Sequence, residues 1–110
     1  YPARHFADHP EVVQGCIDVF LRNDIAAYGE ACHMLGKADM RAALPGLKMP
    51  TAVVVGEEDY AAPPAMAEVL HRGIAGSTFT LLRKARHLTP LEYPDAIAAE
   101  LERLMARIPR

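Results

Sequence analysis

The chain has 110 residues, 51% of them hydrophobic, with 12 Lys and Arg against 14 Asp and Glu for a formal charge of -2. That suits one small domain or a piece of a larger one. The scattered basic residues give no reason to expect a nucleic-acid partner, which needs clustered Lys and Arg, and no apolar run approaches the roughly 18 residues that span a bilayer. Tyr1-Pro2-Ala3-Arg4 is not a signal sequence, so the expectation is a soluble, cytoplasmic protein with no membrane partner. Cys16 and Cys32 lack metal-type spacing and read as reduced thiols packed on helix faces.

From Pro10 to Asn23 the apolar residues Val13, Cys16, Ile17, Phe20 and Leu21 recur at three- and four-residue steps, which predicts a helix with one buried face. Asp24 is a good N-cap for a second helix, with Ile25, Tyr28, Cys32 and Leu35 on one stripe and Gly36 placed to end it. Asp39 can cap a shorter third helix that Pro45 and Gly46 stop. The β-branched run Thr51-Ala52-Val53-Val54-Val55-Gly56 has no polar alternation, as expected for a strand covered on both faces in a parallel sheet. Pro63 and Pro64 suit the first turn of a helix carried by Met66, Val69 and Leu70 that closes near Gly73 and Gly76. Thr78-Phe79-Thr80-Leu81-Leu82 predicts a second strand. Pro94 opens a last helix in which Ile97, Leu101, Leu104, Met105 and Ile108 keep the 3.6-residue period. Strand, helix, strand, helix reads as a right-handed crossover unit of a parallel sheet, and the fold class as α/β.

Each strand is followed by a polar residue where side chains of open α/β sheets meet ligands. Asp59 follows Val53-Val54-Val55-Gly56-Glu57-Glu58, and His87 stands 28 residues later in Ala85-Arg86-His87-Leu88-Thr89-Pro90-Leu91-Glu92-Tyr93-Pro94. Such a pair suits the orienter and the general base of a nucleophilic triad, because the base needs a carboxylate to fix its tautomer and stabilise its charged form.

These two motifs at this spacing resemble the C-terminal part of the α/β-hydrolase family over residues 44 to 105. The segments that carry the resemblance are Pro50-Thr51-Ala52-Val53-Val54-Val55-Gly56-Glu57-Glu58-Asp59 and His87-Leu88-Thr89-Pro90-Leu91-Glu92-Tyr93-Pro94. The resemblance implies two strands of that family's parallel sheet flanked by helices, with Asp59 as the triad acid and His87 as the triad base. Residues 1–43 would then be lid or cap helices plus the helix that returns the chain to the sheet, and residues 44–110 the core segment. Asn23-Asp24-Ile25-Ala26-Ala27-Tyr28 with Cys32 and Asp39-Met40-Arg41 is similar to the same region of 3-oxoadipate enol-lactonase-like members. An ester or lactone substrate and no cofactor are implied.

The sequence departs from the family pattern in two places. Arg86 stands where the family most often has Gly before the histidine. The nucleophile elbow Gly-x-Ser-x-Gly is absent, and Ser77, the only serine, follows Gly76 and precedes a strand. Without a nucleophile or the oxyanion amides that accompany the elbow, these 110 residues are expected to be inactive alone. The missing initial Met suggests a fragment, although processing or an omitted disordered start would produce it too; a complete protein of ordinary domain size would have about 150 further N-terminal residues.

Taken singly, Asp59 reads as a turn residue and His87 as a surface-loop histidine; only their register together favours the triad. His5 and His9 lack the glutamate of a zinc-hydrolase helix, so no metal site is expected. Cys32 and His33, as helix neighbours, point in different directions. Glu92 reads as a structural residue at the start of the last helix, and Glu57 and Glu58 as solvated loop charges. The alternative of a different class is a noncatalytic binding or assembly module built on the same fold. Finally, the strand at residues 51–56 is expected to lack the neighbour the family gives it, and its bare edge predicts a homodimer or domain-swapped assembly.

Overall fold

The computed structural model describes residues 7–109; His5, of the pair considered above, lies outside them. Two helices come first, α1 (Pro10–Leu21) and α2 (Ile25–Lys37), then a 3₁₀ helix (Arg41–Gly46). The remainder is β1 (Ala52–Gly56), α3 (Pro64–Gly73), β2 (Thr78–Leu82), a single turn α4 (Thr89–Glu92) and α5 (Pro94–Met105). β1 and β2 pair in parallel from Ala52 opposite Thr78 to Gly56 opposite Leu82. Because the strands finish together, the loops that follow them leave from the same rim.

The core lies where α3 crosses the sheet. Val53 and Val55 are buried against Ala67, with Phe79 packed beside them. Ala52 and Val54, on the other pleat face, are only half-buried, so the strand is fully covered on one face rather than both. The buried face of α3 also differs from the expected one: Met66, Val69 and Leu70 are exposed and Ala67 is the residue that goes in. A small side chain there lets the helix approach the valines closely.

The two leading helices form from the local signals expected. Asp24 caps α2 by accepting the amide of Ala27 at 2.8 Å, and Pro10 opens α1. Their burial is another matter. Only Val13 of α1 is buried and nothing in α2 is; Ile25 is 89% exposed and Leu35 68%. Gly36 does not end α2, which runs one residue further to Lys37. Neither helix packs extensively on the sheet. Accordingly the radius of gyration is 16.0 Å, against about 13 Å for a compact domain of this length.

The segment expected to be a third helix is 3₁₀, with Pro45 inside it, because proline cannot donate the amide that an α-helix would need there. Asp39 accepts the amide of Arg41 at 3.1 Å and pairs with its guanidinium. At the far end, α5 stops at Met105, short of Ile108, and its inner face is Ile97, Glu100 and Leu104. Glu100, buried, accepts from the Thr80 hydroxyl and the Arg103 guanidinium, both at 2.7 Å. Arg107 donates to the carbonyls of Thr51 and Gly76, at the start of the two strands. These polar ties hold α5 to β2.

Candidate active site

The loops after β1 and β2 are joined by backbone bonds that involve neither Asp59 nor His87. The amide of Glu57 donates to the Leu82 carbonyl at 2.9 Å and that of Glu58 to Ala85 at 2.8 Å. Gly56 is what allows this approach: a Cβ there would lie 2.3 Å from the Arg86 oxygen and 2.5 Å from the Ala85 oxygen. Only glycine leaves that space empty. Glu57 adds a third link by accepting the amide of Lys84 at 2.9 Å, which steadies the one non-glycine residue with positive φ among those described, 59°. Glu58 lies 3.7 Å from Arg86 Nε, and the Arg86 guanidinium sits 5.4 Å from the centre of the Tyr60 ring. The two glutamates are therefore cross-loop ties rather than free solvated charges. Arg86, at the family's usual glycine position, has no positive φ and uses its side chain to grip the opposite loop.

On this platform Asp59 and His87 meet: His87 Nδ1 is 2.9 Å from Asp59 Oδ2. The other carboxylate oxygen, Oδ1, accepts the amides of Ala61 at 3.0 Å and Ala62 at 2.8 Å. Asp59 is 6% exposed, while the His87 side chain is 58% exposed. Burial opposes the charged form of Asp59, but the amide of Ala62, the imidazole of His87 and the amide of Ala61 together outweigh it and hold its carboxyl below the ordinary value. An ionised carboxylate only accepts hydrogen bonds, so Nδ1 of His87 carries the proton. In the neutral ring that leaves the lone pair on Nε2, the nitrogen not engaged by Asp59. The arrangement can take a proton at Nε2 and stabilise the resulting imidazolium.

An open depression of about 360 Å³ lies beside the pair, with Val53, Val54, Val55, Met66, Leu70 and Thr89 in its walls. It follows the outer edge of β1, which has no strand partner among the described residues. A second depression, about 340 Å³ and lined by Thr78, Thr80, Glu100, Arg103, Leu104 and Arg107, lies beside β2 and α5. It contains neither member of the Asp59–His87 pair.

Ser77 is hydrogen-bonded to a histidine, but not in a way that activates it. Its hydroxyl donates to the His71 carbonyl at 3.1 Å, so at 2.8 Å the His71 Nδ1 must be the donor to Ser77 Oγ. A general base would have to accept that proton. The pair closes the turn between α3 and β2, at the opposite end of β2 from His87. Glu92, read from the sequence as structural, is so, but its place differs. It lies at the end of α4, not at the start of α5, and is buried. The available signal was its position four residues after Leu88 in a turn opened by Thr89-Pro90, where a glutamate can reach back to the amides ahead of the helix.

The two parallel strands, the paired loops and the aspartate–histidine contact define part of the α/β-hydrolase architecture. The chain belongs to the α/β-hydrolase fold family. No family model matches it, but individual proteins do. A pimeloyl-[acyl-carrier protein] methyl ester esterase from Neisseria meningitidis is 36% identical over 74 residues, 67% of this chain and 29% of the relative. 3-Oxoadipate enol-lactonase 2 from Acinetobacter baylyi is 29% identical over 100 residues, 91% of this chain and 37% of the relative. The crystal structure of the enol-lactonase from Burkholderia xenovorans superposes with a TM-score of 0.90 at 31% identity, covering 96% of this chain and 40% of that one. The chain thus spans well under half the length of these relatives.

Proposed function

We propose that this chain supplies the acid and the base of a nucleophile–His–Asp triad in a serine-type α/β-hydrolase, a soluble cytoplasmic enzyme acting on a carboxylic ester or a lactone. The observation that carries the reading is the 2.9 Å contact between His87 Nδ1 and Asp59 Oδ2, made by loops that leave the same rim of a parallel sheet. His87 Nε2 takes the proton of the attacking hydroxyl and returns it to the leaving oxygen, while Asp59 holds the ring and stabilises its charged form. The relatives named above, esterases and lactonases of the same fold, support the substrate class. The nucleophile and the oxyanion amides are not part of the 110 residues, which by themselves turn over no ester. Helices α1 and α2 serve as part of the lid over the site.

The test is turnover of short-chain aryl esters and of an enol-lactone by the enzyme that contains this chain, with His87→Ala and Asp59→Asn. Asparagine keeps the two backbone contacts of Oδ1 but presents an amide N–H to His87 Nδ1, forcing the ring into the other tautomer. Losses of about 10⁴-fold in kcat are expected for both, equivalent to about 5 kcal/mol of transition-state stabilisation. Rates within tenfold of wild type would remove His87 and Asp59 from the mechanism.

A further inference from the structure

We propose that Glu92 is a positioning residue for His87, fixing the backbone on both sides of the imidazole; its kinetic consequence rests on the triad reading above, its structural claim does not. Glu92 Oε2 accepts the amide of Arg86 at 2.8 Å, and Oε1 accepts the amide of Leu88 at 3.1 Å. The residue between those two amides is His87. The carboxylate therefore holds a three-residue arc from beneath while the ring at its crest reaches to Asp59.

The detail that separates this from ordinary helix capping is the second oxygen. A glutamate reaching back to the amide at the start of its own short helix is a common way to satisfy an orphan donor, and the bond to Leu88 does that for α4. The Arg86 amide lies two residues further back, outside the helix and on the other side of His87. Helix α4 does not require it. Two backbone donors converging on one buried side chain call for two acceptors and no donor, which among side chains only a carboxylate offers in planar form. Glu92 is 6% exposed, so these contacts are sheltered from competing water.

Asp59 and Glu92 thereby restrain different parts of the same residue. Asp59 sets the ring's tautomer and tilt, and Glu92 sets where its Cα stands relative to the sheet rim. Misplacing a reacting group by about 1 Å can cost about 100-fold in rate, so losing part of this support should cost about tenfold.

The diagnostic variant is Glu92→Gln, which keeps size and shape but offers one acceptor oxygen and places an N–H donor against one of the two amides. Two measurements are made. The first is ¹⁵N NMR of the imidazoles in the 110-residue chain, with His71 as an internal control, beside the thermal midpoint. The second is kcat and KM of the complete enzyme that contains the chain. The proposal expects the His87 Nδ1–H signal to broaden or shift while His71 is unchanged, and kcat to fall about tenfold with KM within about twofold. Glu92→Asp, whose shorter side chain reaches neither amide well, should behave at least as severely. A His87 spectrum identical to wild type in Glu92→Gln would overturn the proposal, as would loss of fold affecting His71 and His87 alike. The NMR arm needs no turnover. Should His87→Ala leave activity intact, the triad reading fails while the positioning claim is still decided by the spectra.

Discussion

Replacing Gly56 by alanine tests whether the tight junction of the two loops is what brings the acid and the histidine together. The added Cβ would lie 2.3 Å from the Arg86 oxygen and 2.7 Å from the Ala85 carbonyl carbon, whereas ordinary C···O contacts begin near about 3.3 Å. Both obstacles are backbone, so no side-chain rotation relieves them, and the loops must part by about 1 Å. That displacement takes the 2.8 Å bond from Glu58 to Ala85 past useful range and strains the 2.9 Å contact of Asp59 with His87. Overpacking costs about 1–3 kcal/mol and each buried hydrogen bond about 1 kcal/mol, giving about 3 kcal/mol in all. In urea, with a slope of about 1.5 kcal/mol per M, the midpoint should fall by about 2 M. Circular dichroism measures that midpoint, and the His87 Nδ1–H resonance reports the contact. A midpoint within about 0.3 M of wild type together with an unchanged resonance would refute the reasoning.

Acid should weaken the fold in a defined window. Asp59 and Glu100 both have carboxyls held below their ordinary values, Glu100 by its bonds from Arg103 and Thr80. Their stabilisation is therefore complete above the unfolded values of about 4 and is lost as pH falls through the folded ones. Urea midpoints should hold level from pH 7 to about 5 and decline below about 4, and a midpoint that rises on acidification would contradict the assignment. The Asp39 carboxyl, lowered to about 2 by hydrogen bonds from Arg41, is on the surface and should contribute little to this decline. The unpaired outer edge of β1 and the exposed stripe of α2 lead to the expectation that the 110-residue chain self-associates; light scattering showing a compact monomer at high concentration would count against it.

The strands and the loop positions that bring Asp59 and His87 into contact were legible because their signals are local. Three consecutive valines ending in glycine define β1 without reference to anything distant, and a polar residue just past each strand end is a position at which parallel sheets display function. Asp24 as the cap of α2 was legible for the same reason, whereas Gly36 does not end that helix and Met40, not Asp39, stands at the N-cap of the 3₁₀ helix. The burial of the helices was not legible. Periodicity shows that Ile25, Tyr28, Cys32 and Leu35 share a face, but not that another element stands against it, and among the described residues α2 packs extensively on none. The buried residue of α3 is the alanine rather than the larger Met66, Val69 or Leu70, because closeness of approach, set by the valines opposite, decides which face turns inward. Glu57 and Glu58 were misread since a charged residue in a loop looks solvated until the fold shows which backbone amides or charges face it, and Glu92, read as structural, was assigned to the wrong helix.

The two oxygens of Asp59 have separate employments, one tied to the amides of Ala61 and Ala62 and the other to the ring of His87. The acid is thus moored to its own turn whether or not the imidazole is present. If His87 swings out toward water, as its exposure permits, the carboxylate keeps its aim and the histidine returns to an unchanged berth. Rotational freedom at this rim belongs to one partner alone.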